Sequence, residues 1–262
     1  AMVIETGMGG RLDATNILDP IASVLTPIEL EHTEYLGNTI PLIAAEKAGI
    51  IKQKRPVFSS RQSAEALEVF RSAAAAWSAP LSYLPEETAE LRTAVKRGGT
   101  ELRVAFVDRA AFPRPLGCTL GLVGAVQGEN AALAALCARR CFPEIDLETI
   151  EAGLAAARIP ARFELVSAGP TIIVDGAHTP NSVALTLGTF RQLYGDGGIL
   201  LFSCAAGKDV RGMAEILAPH FSRIVVTRPG SFRKSDSEEI WTAFLSRSPE
   251  TEHEADPEAA LE

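Results

Sequence analysis

No stretch of this sequence approaches the roughly 18 consecutive apolar residues of a membrane-spanning helix, so no role within a membrane is expected. Basic residues are in deficit. The 25 Lys and Arg against 33 Asp and Glu leave a formal net charge of −8. That balance argues against a general nucleic-acid binder, which needs a basic footprint, although a local cation cluster can still hold a nucleotide. Cysteine is scarce: Cys118, Cys137, Cys141 and Cys204 have no metal-type spacing. Cys137 and Cys141 read as packed thiols on one helix, in a reducing, cytoplasmic setting. The first residues do not read as a signal peptide, because Glu5 interrupts an apolar run that has no basic start. Internal repeats and low-complexity tracts are absent, and so is any G-x-x-x-x-G-K-[ST] phosphate loop.

What is present suits a globular enzyme. The hydrophobic content of 47% and charged content of 22% allow one large domain or two smaller ones in 262 residues. Strand-like runs at Ala1–Glu5, Ala22–Thr26 and Pro56–Ser59 alternate with helical patterns at Ile40–Ala48 and Ala64–Trp77. Such alternation predicts a parallel sheet with helical crossovers. Between Leu81 and Val123 the pattern changes to short alternating segments, and Gly98-Gly99 between two of them signals an antiparallel hairpin. Helix returns at Gln127–Phe142 and Asp146–Ala157, with Asp146 as N-cap. Pro160 marks a joint, dividing the chain into domains 1–159 and 160–262. Beyond it, strands at Phe163–Ser167, Thr171–Asp175, Ile199–Ser203 and Arg223–Thr227 alternate with helices at Asn181–Tyr194, Val210–Ala218 and Ser237–Leu245. This predicts a doubly wound α/β domain with ligands at the carboxyl ends of its strands, where Asp175–His178, Gly207–Asp209 and Arg228–Lys234 fall. The abrupt start and the helix-like turn at 256–262 read as the cut ends of a longer protein.

Three residues stand out for metal chemistry. Glu5 and His32 each follow an apolar strand-like segment, so a parallel sheet would bring them out on one edge. A carboxylate and an imidazole can share a hard divalent cation with water and phosphate oxygens. Lys47 lies near the end of a helix, before a glycine that reads as a cap. The ordinary role of a lysine there is to complement the helix dipole. Partly desolvated beside a metal, it can instead expose a neutral amine, take up CO₂ and become an anionic ligand. Three glycines within Gly7–Gly10 mark backbone packed close to a ligand, with Arg11 and Asp13 beside the same turn.

The string Glu5-Thr-Gly-Met-Gly-Gly-Arg-Leu-Asp-Ala-Thr-Asn16 resembles the signature of the folylpolyglutamate synthase and dihydrofolate synthase family, within the Mur ligases. Four further segments resemble that family's motifs, in order: Glu31–Thr39 with Glu46–Lys52, Gln127–Asn130, Pro160–Glu164, and Asp175–Pro180. Gly207-Lys-Asp209 is similar to its Asp-Lys-Asp loop, with glycine for the first aspartate. The resemblance implies that Glu5, His32 and a carbamylated Lys47 hold Mg²⁺, and that Leu12, Asp13 and Ala14 contact the pterin. It implies that Asn130, Arg162, Asp175 and His178 form the ATP site, with Lys47, Arg162 and His178 catalytic. Lys208 and Asp209 are implied on the glutamate and acyl-phosphate side. Val126 and Thr179 depart from the family's histidine and asparagine, which removes the contacts those would make.

The resemblance implies a partial P-loop-type central domain with an antiparallel excursion, followed by a Rossmann-like C-terminal domain. The implied whole is a cytoplasmic, monomeric, ATP-dependent ligase that joins L-glutamate to a folate or dihydropteroate carboxylate, with no nucleic-acid or membrane partner. Its phosphate loop would lie upstream, so these residues alone are expected to be inactive. The alternatives are a peptidoglycan-type Mur ligase, or a non-catalytic binding protein that keeps the fold. The Leu12–Asn16 string favours the folate branch.

Overall fold

The structure, a computed structural model, describes residues 1–230 and 234–261. It divides into two compact units. One comprises Ala1–Ala94, Glu101–Leu120 and Gln127–Ala157; the other comprises Val95–Thr100, Gly121–Val126 and the chain from Arg158 onward.

In the first unit, β1 (Ser23–Leu25), α1 (Thr33–Leu36), α2 (Ile40–Ala48), β2 (Val57–Ser59), α3 (Ala64–Ala76) and β3 (Leu81–Tyr83) follow in turn. The three strands form a parallel sheet in the order β1-β2-β3, with Ser23 opposite Val57 and Val57 opposite Leu81. Parallel neighbours need crossovers, and the helical stretches supply them. Ser63 starts α3 as its N-cap, accepting from the Ala66 amide. Leu25, Ala44, Ala48, Ile51, Val57, Phe70 and Ala74 bury one core between this sheet and its helices.

Two expectations are corrected here. Residues 1–5 form no strand: Met2 and Val3 are exposed, and no described residue takes their ladder hydrogen bonds. An apolar run becomes a strand only where a neighbour pairs with it. Leu81–Tyr83 does not open the antiparallel excursion but closes the parallel sheet.

After the short α4 (Leu84–Glu87) come β4 (Thr88–Lys96), β5 (Gly99–Phe106) and β6 (Leu116–Leu120), a separate sheet in the order β4-β5-β6. Only Arg97 and Gly98 join β4 to β5, so these two run antiparallel. Helices α5 (Ala125–Cys141) and α6 (Leu147–Ala156) complete the N-terminal part, α6 capped by Asp146 on the Thr149 amide. A second core gathers Phe58, Leu102, Val104, Phe106, Phe112, Leu116, Leu133, Leu136 and Ile150. Cys137 and Cys141 pack against it, and burial with the neighbouring Cys141 pushes the Cys137 thiol up to about 12, which makes it inert.

The second unit opens with an antiparallel hairpin, β7 (Glu164–Ala168) and β8 (Thr171–Val174). Then come α7 (Pro180–Tyr194), β9 (Gly198–Phe202), α8 (Val210–Leu217), β10 (Phe221–Val226), α9 (Ser237–Leu245) and β11 (Glu252–His253). The last three strands form a parallel sheet in the order β11-β10-β9. Val183, Leu187, Phe202, Met213, Leu217, Ile224, Val226, Ile240 and Phe244 make its core. Part of the expected loop at Arg228–Lys234, residues 231–233, lies outside the described residues.

Candidate active site

In the first unit the glycine loop after Glu5 packs onto the end of α2. The Arg11 amide donates to the Glu46 carbonyl at 2.9 Å, and its guanidinium reaches Glu46 Oε1 at 3.1 Å and the Ala45 carbonyl at 3.0 Å. Asn16 Nδ2 donates to the carbonyls of Arg11 and Gly49, and Lys52 Nζ to that of Asn16. Gly49 is required here for space. It has an ordinary helical φ of −60°, but a Cβ would sit 2.5 Å from Arg11 Cα. The same loop touches α1, where a Cβ on Gly9 would meet Leu36 at 3.0 Å, and one on Gly10 would meet the Lys47 carbonyl at 3.1 Å. The loop that begins after Glu5 thus contacts both the helix capped by His32 and the backbone of Lys47.

Asp13 organises this loop from within. One carboxylate oxygen accepts from the Gly7 and Met8 amides, the other from the amide and hydroxyl of Thr15. These bonds, Thr15's foremost, lower its pKa from 3.8 to about 2. Leu12 beside it is 90% exposed.

Around this loop Arg11, Asp13, Thr15, Asn16, Glu46 and Lys52 all have partners. The side chains of Glu5, His32 and Lys47 make no hydrogen bond or ion pair with any described residue. His32 stands in the left-handed region, φ 53°, at the start of α1, which is strained for a residue with a Cβ. No group of three His, Cys, Asp or Glu side chains that could hold a metal occurs among the described residues. A carboxylate such as Glu5, an imidazole such as His32 and a modified Lys47 are the donor types that would be needed here. The residues present fit a hard cation on that condition.

Asn130 lies on the exposed side of the early part of α5, its amide donating to Gln127 Oε1 at 3.4 Å.

In the second unit two predicted residues, Arg162 and His178, converge on Gly176, which follows a third, Asp175. The Gly176 amide donates to the Ala161 carbonyl at 2.8 Å, its carbonyl accepts from His178 Nδ1 at 2.8 Å, and Arg162 Nη1 would lie 2.8 Å from a Cβ there. A carbonyl only accepts, so His178 carries its proton on Nδ1, and the acceptor nitrogen of the neutral ring is Nε2. Asp175 is committed to the fold. Its carboxylate accepts from the amides of Phe163 and Ala177 at 2.7 and 2.8 Å, and from the Thr186 hydroxyl at 3.0 Å. Ala161 and Phe163, either side of exposed Arg162, both have positive φ (54° and 48°), so the joint is strained and strapped to the loop after β8. Thr179 and Ser182 form a capping box that starts α7. Asp209 caps α8 by accepting from the Gly212 amide, and Lys208 precedes it, partly buried.

One polar centre has no signal in the sequence. Gln62, in the turn after β2, accepts from the Ile28 amide and donates to the Thr26 carbonyl, partners 34 and 36 residues away.

Residues 161–262 match the family model described as "Mur ligase, glutamate ligase domain". The chain is 34% identical to the dihydrofolate synthase/folylpolyglutamate synthase of Mycobacterium tuberculosis, over 94% of this chain and 52% of that protein. It is 32% identical to the Bacillus subtilis protein of the same name, over 95% of this chain and 60% of that one. It superposes on the structure of M. tuberculosis folylpolyglutamate synthase complexed with ADP with a TM-score of 0.88 and 30% identity, covering 98% of this chain and 58% of that one. The chain therefore spans about half to three-fifths of the length of these relatives. By fold and along nearly its whole length the chain is similar to folylpolyglutamate and dihydrofolate synthases, and its residues 161–262 carry the glutamate ligase domain of Mur ligases.

Proposed function

We propose that the full-length protein uses ATP to join L-glutamate to the carboxylate of a folate or of dihydropteroate. The substrate carboxylate takes the terminal phosphoryl group of ATP, giving an acyl phosphate and ADP. The glutamate amine then attacks the acyl carbon, phosphate leaves with the C–O bond, and an amide remains. The observation that carries this reading is that the side chains of Glu5, His32 and Lys47 have no partner among the described residues, while Arg11, Asp13, Thr15 and Asn16 of the intervening loop all have one. The named relatives support it, as does the ADP complex of one neighbour.

In this reading Glu5, His32 and a carbamate on Lys47 hold Mg²⁺, which when bound offsets charge on the transferring phosphoryl group. Arg162 lends a cation to the phosphates from its strained joint, where a fixed charge helps most in the transition state. His178, bonded to the Gly176 carbonyl through Nδ1, and Asn130 of α5 are both assigned to the nucleotide. Asp175 contributes by holding the joint against its loop. Leu12 and Ala14 lie against the pterin, on a loop whose shape Asp13 sets. Lys208 and Asp209 serve the incoming glutamate. The protein is proposed to act as a monomer in the cytoplasm; no described helix is long and apolar enough to cross a membrane.

The test is a coupled assay on the full-length protein with ATP, Mg²⁺ and L-glutamate. ADP release that requires both glutamate and dihydropteroate or tetrahydrofolate supports the reading. ADP release that responds only to a nucleotide-linked peptidoglycan precursor places the protein in the other branch.

A further inference from the structure

We propose that Gln62 is a positioning residue for His32, and this rests on the reading of Glu5, His32 and Lys47 as metal ligands. His32 is reached from β1 through a run of seven residues, Thr26 to His32, with no strand or helix of its own. Gln62 grips the start of that run from the neighbouring strand's turn. Its Oε1 accepts from the Ile28 amide at 3.1 Å and its Nε2 donates to the Thr26 carbonyl at 2.9 Å. The amide's orientation is forced, because an N–H must meet oxygen and a carbonyl must meet N–H. The grip stands on a rigid base. Ser59 and Ser60 are 0% and 1% exposed, their hydroxyls face Nε2 at 3.3 and 3.4 Å, and Ser60 is bonded to the Leu25 carbonyl. One side chain therefore fixes both the Thr26 carbonyl and the Ile28 amide, just past β1 at the carboxyl edge of a parallel sheet where ligands bind.

His32 itself sits in a strained left-handed conformation with no side-chain hydrogen bond. Nothing on the imidazole holds it in place; the His32 carbonyl accepts from the Tyr35 and Leu36 amides of α1, and Gln62 anchors the other end of the run that leads to it. Loss of the anchor lets the run swing and costs metal affinity while the buried cores stay intact.

The experiment uses the full-length protein and Mn²⁺ alone as the probe, with free Mn²⁺ followed by electron paramagnetic resonance and folding by thermal melt. Wild type and Gln62→Met are compared, each with and without His32→Ala. The proposal expects Gln62→Met to weaken the His32-dependent Mn²⁺ site by about tenfold, the low end of the range seen when a group that bonds a metal ligand directly is lost. The melting temperature should stay within a few degrees, and the effect should vanish in the His32→Ala background. Equal Mn²⁺ affinity in Gln62→Met, or the same loss with His32→Ala present, overturns the proposal. Wild type that shows no His32-dependent Mn²⁺ site overturns the metal reading itself, and the proposal with it. Should Gln62→Met fail to fold, Gln62→Glu keeps the size and an oxygen for Ile28 but sets an oxygen against Thr26, and the same outcomes apply.

Discussion

The carboxylate of Asp175 accepts a hydrogen bond from the amide of Phe163 at 2.7 Å, tying the residue just after β8 to the strained residue just before β7. The sequence places Asp175 at a strand's carboxyl end, where a ligand residue is expected. The structure also gives its carboxylate a part in holding the fold. Three donors from three segments depend on this carboxylate.

Asp175→Ala is therefore expected to lower the stability of the full-length protein by about 1–3 kcal/mol, the cost of leaving partly buried donors unmet. Asp175→Asn, which keeps one oxygen, should lose less. Thermal melts of both variants measure this. A melt of Asp175→Ala superimposable on wild type would show that the Phe163 joint does not depend on it.

Asp13 should titrate far below an ordinary aspartate. Its folded pKa is depressed to about 2 from 3.8, so the stability it lends is fully present above about 3.8 and is lost as pH falls through about 2. Carboxyl-carbon NMR should give a midpoint near 2 for this residue, with the Gly7 and Met8 amides shifting over the same range. A midpoint near 3.8 would mean that the loop is not held by Asp13.

Lys47→Ala in the full-length protein should abolish most activity and leave folding nearly intact. A partly exposed lysine near a helix end contributes only about 0.3–1 kcal/mol to stability. A carbamate, by contrast, supplies an oxygen ligand that alanine lacks. The direct check is a carbamate signal in ¹³C NMR after incubation with labelled bicarbonate, present in wild type and absent in Lys47→Ala. A variant with near-normal kcat would return Lys47 to a helix-end role.

The 262 residues by themselves carry no glycine-rich loop ending in Gly-Lys-Ser/Thr. Purified as such, with ATP, Mg²⁺, glutamate and a folate, they should release no phosphate above blank. Glutamate-dependent release would mean that the phosphates are cradled by residues other than a loop of that type.

Much of this fold was legible because its signals are local. Ile40–Ala48 and Ser237–Leu245 have their expected bounds, and Asp146 caps the helix it was expected to cap. The hairpin at Arg97-Gly98 follows from its glycines. What escaped reading is set by distant partners. Leu81–Tyr83 and Glu252–His253 are strands only because β2 and β10 pair with them, and Ala1–Glu5 lacks such a neighbour among the described residues. The candidate residues near Gly176 sit in two short motifs, Pro160–Glu164 and Asp175–Pro180, each legible locally. Gln62 was not, since its partners are backbone groups that any sequence would supply.

The central claim is the acyl phosphate, and isotope transfer tests it most directly. The full-length protein is given ATP, Mg²⁺, L-glutamate and a folate or dihydropteroate whose reacting carboxylate carries ¹⁸O. An acyl phosphate leaves one carboxylate oxygen on the departing phosphate, so each amide formed should release one singly labelled phosphate. Amide formation with unlabelled phosphate would contradict the account, because the carboxylate would then have been activated by some other route.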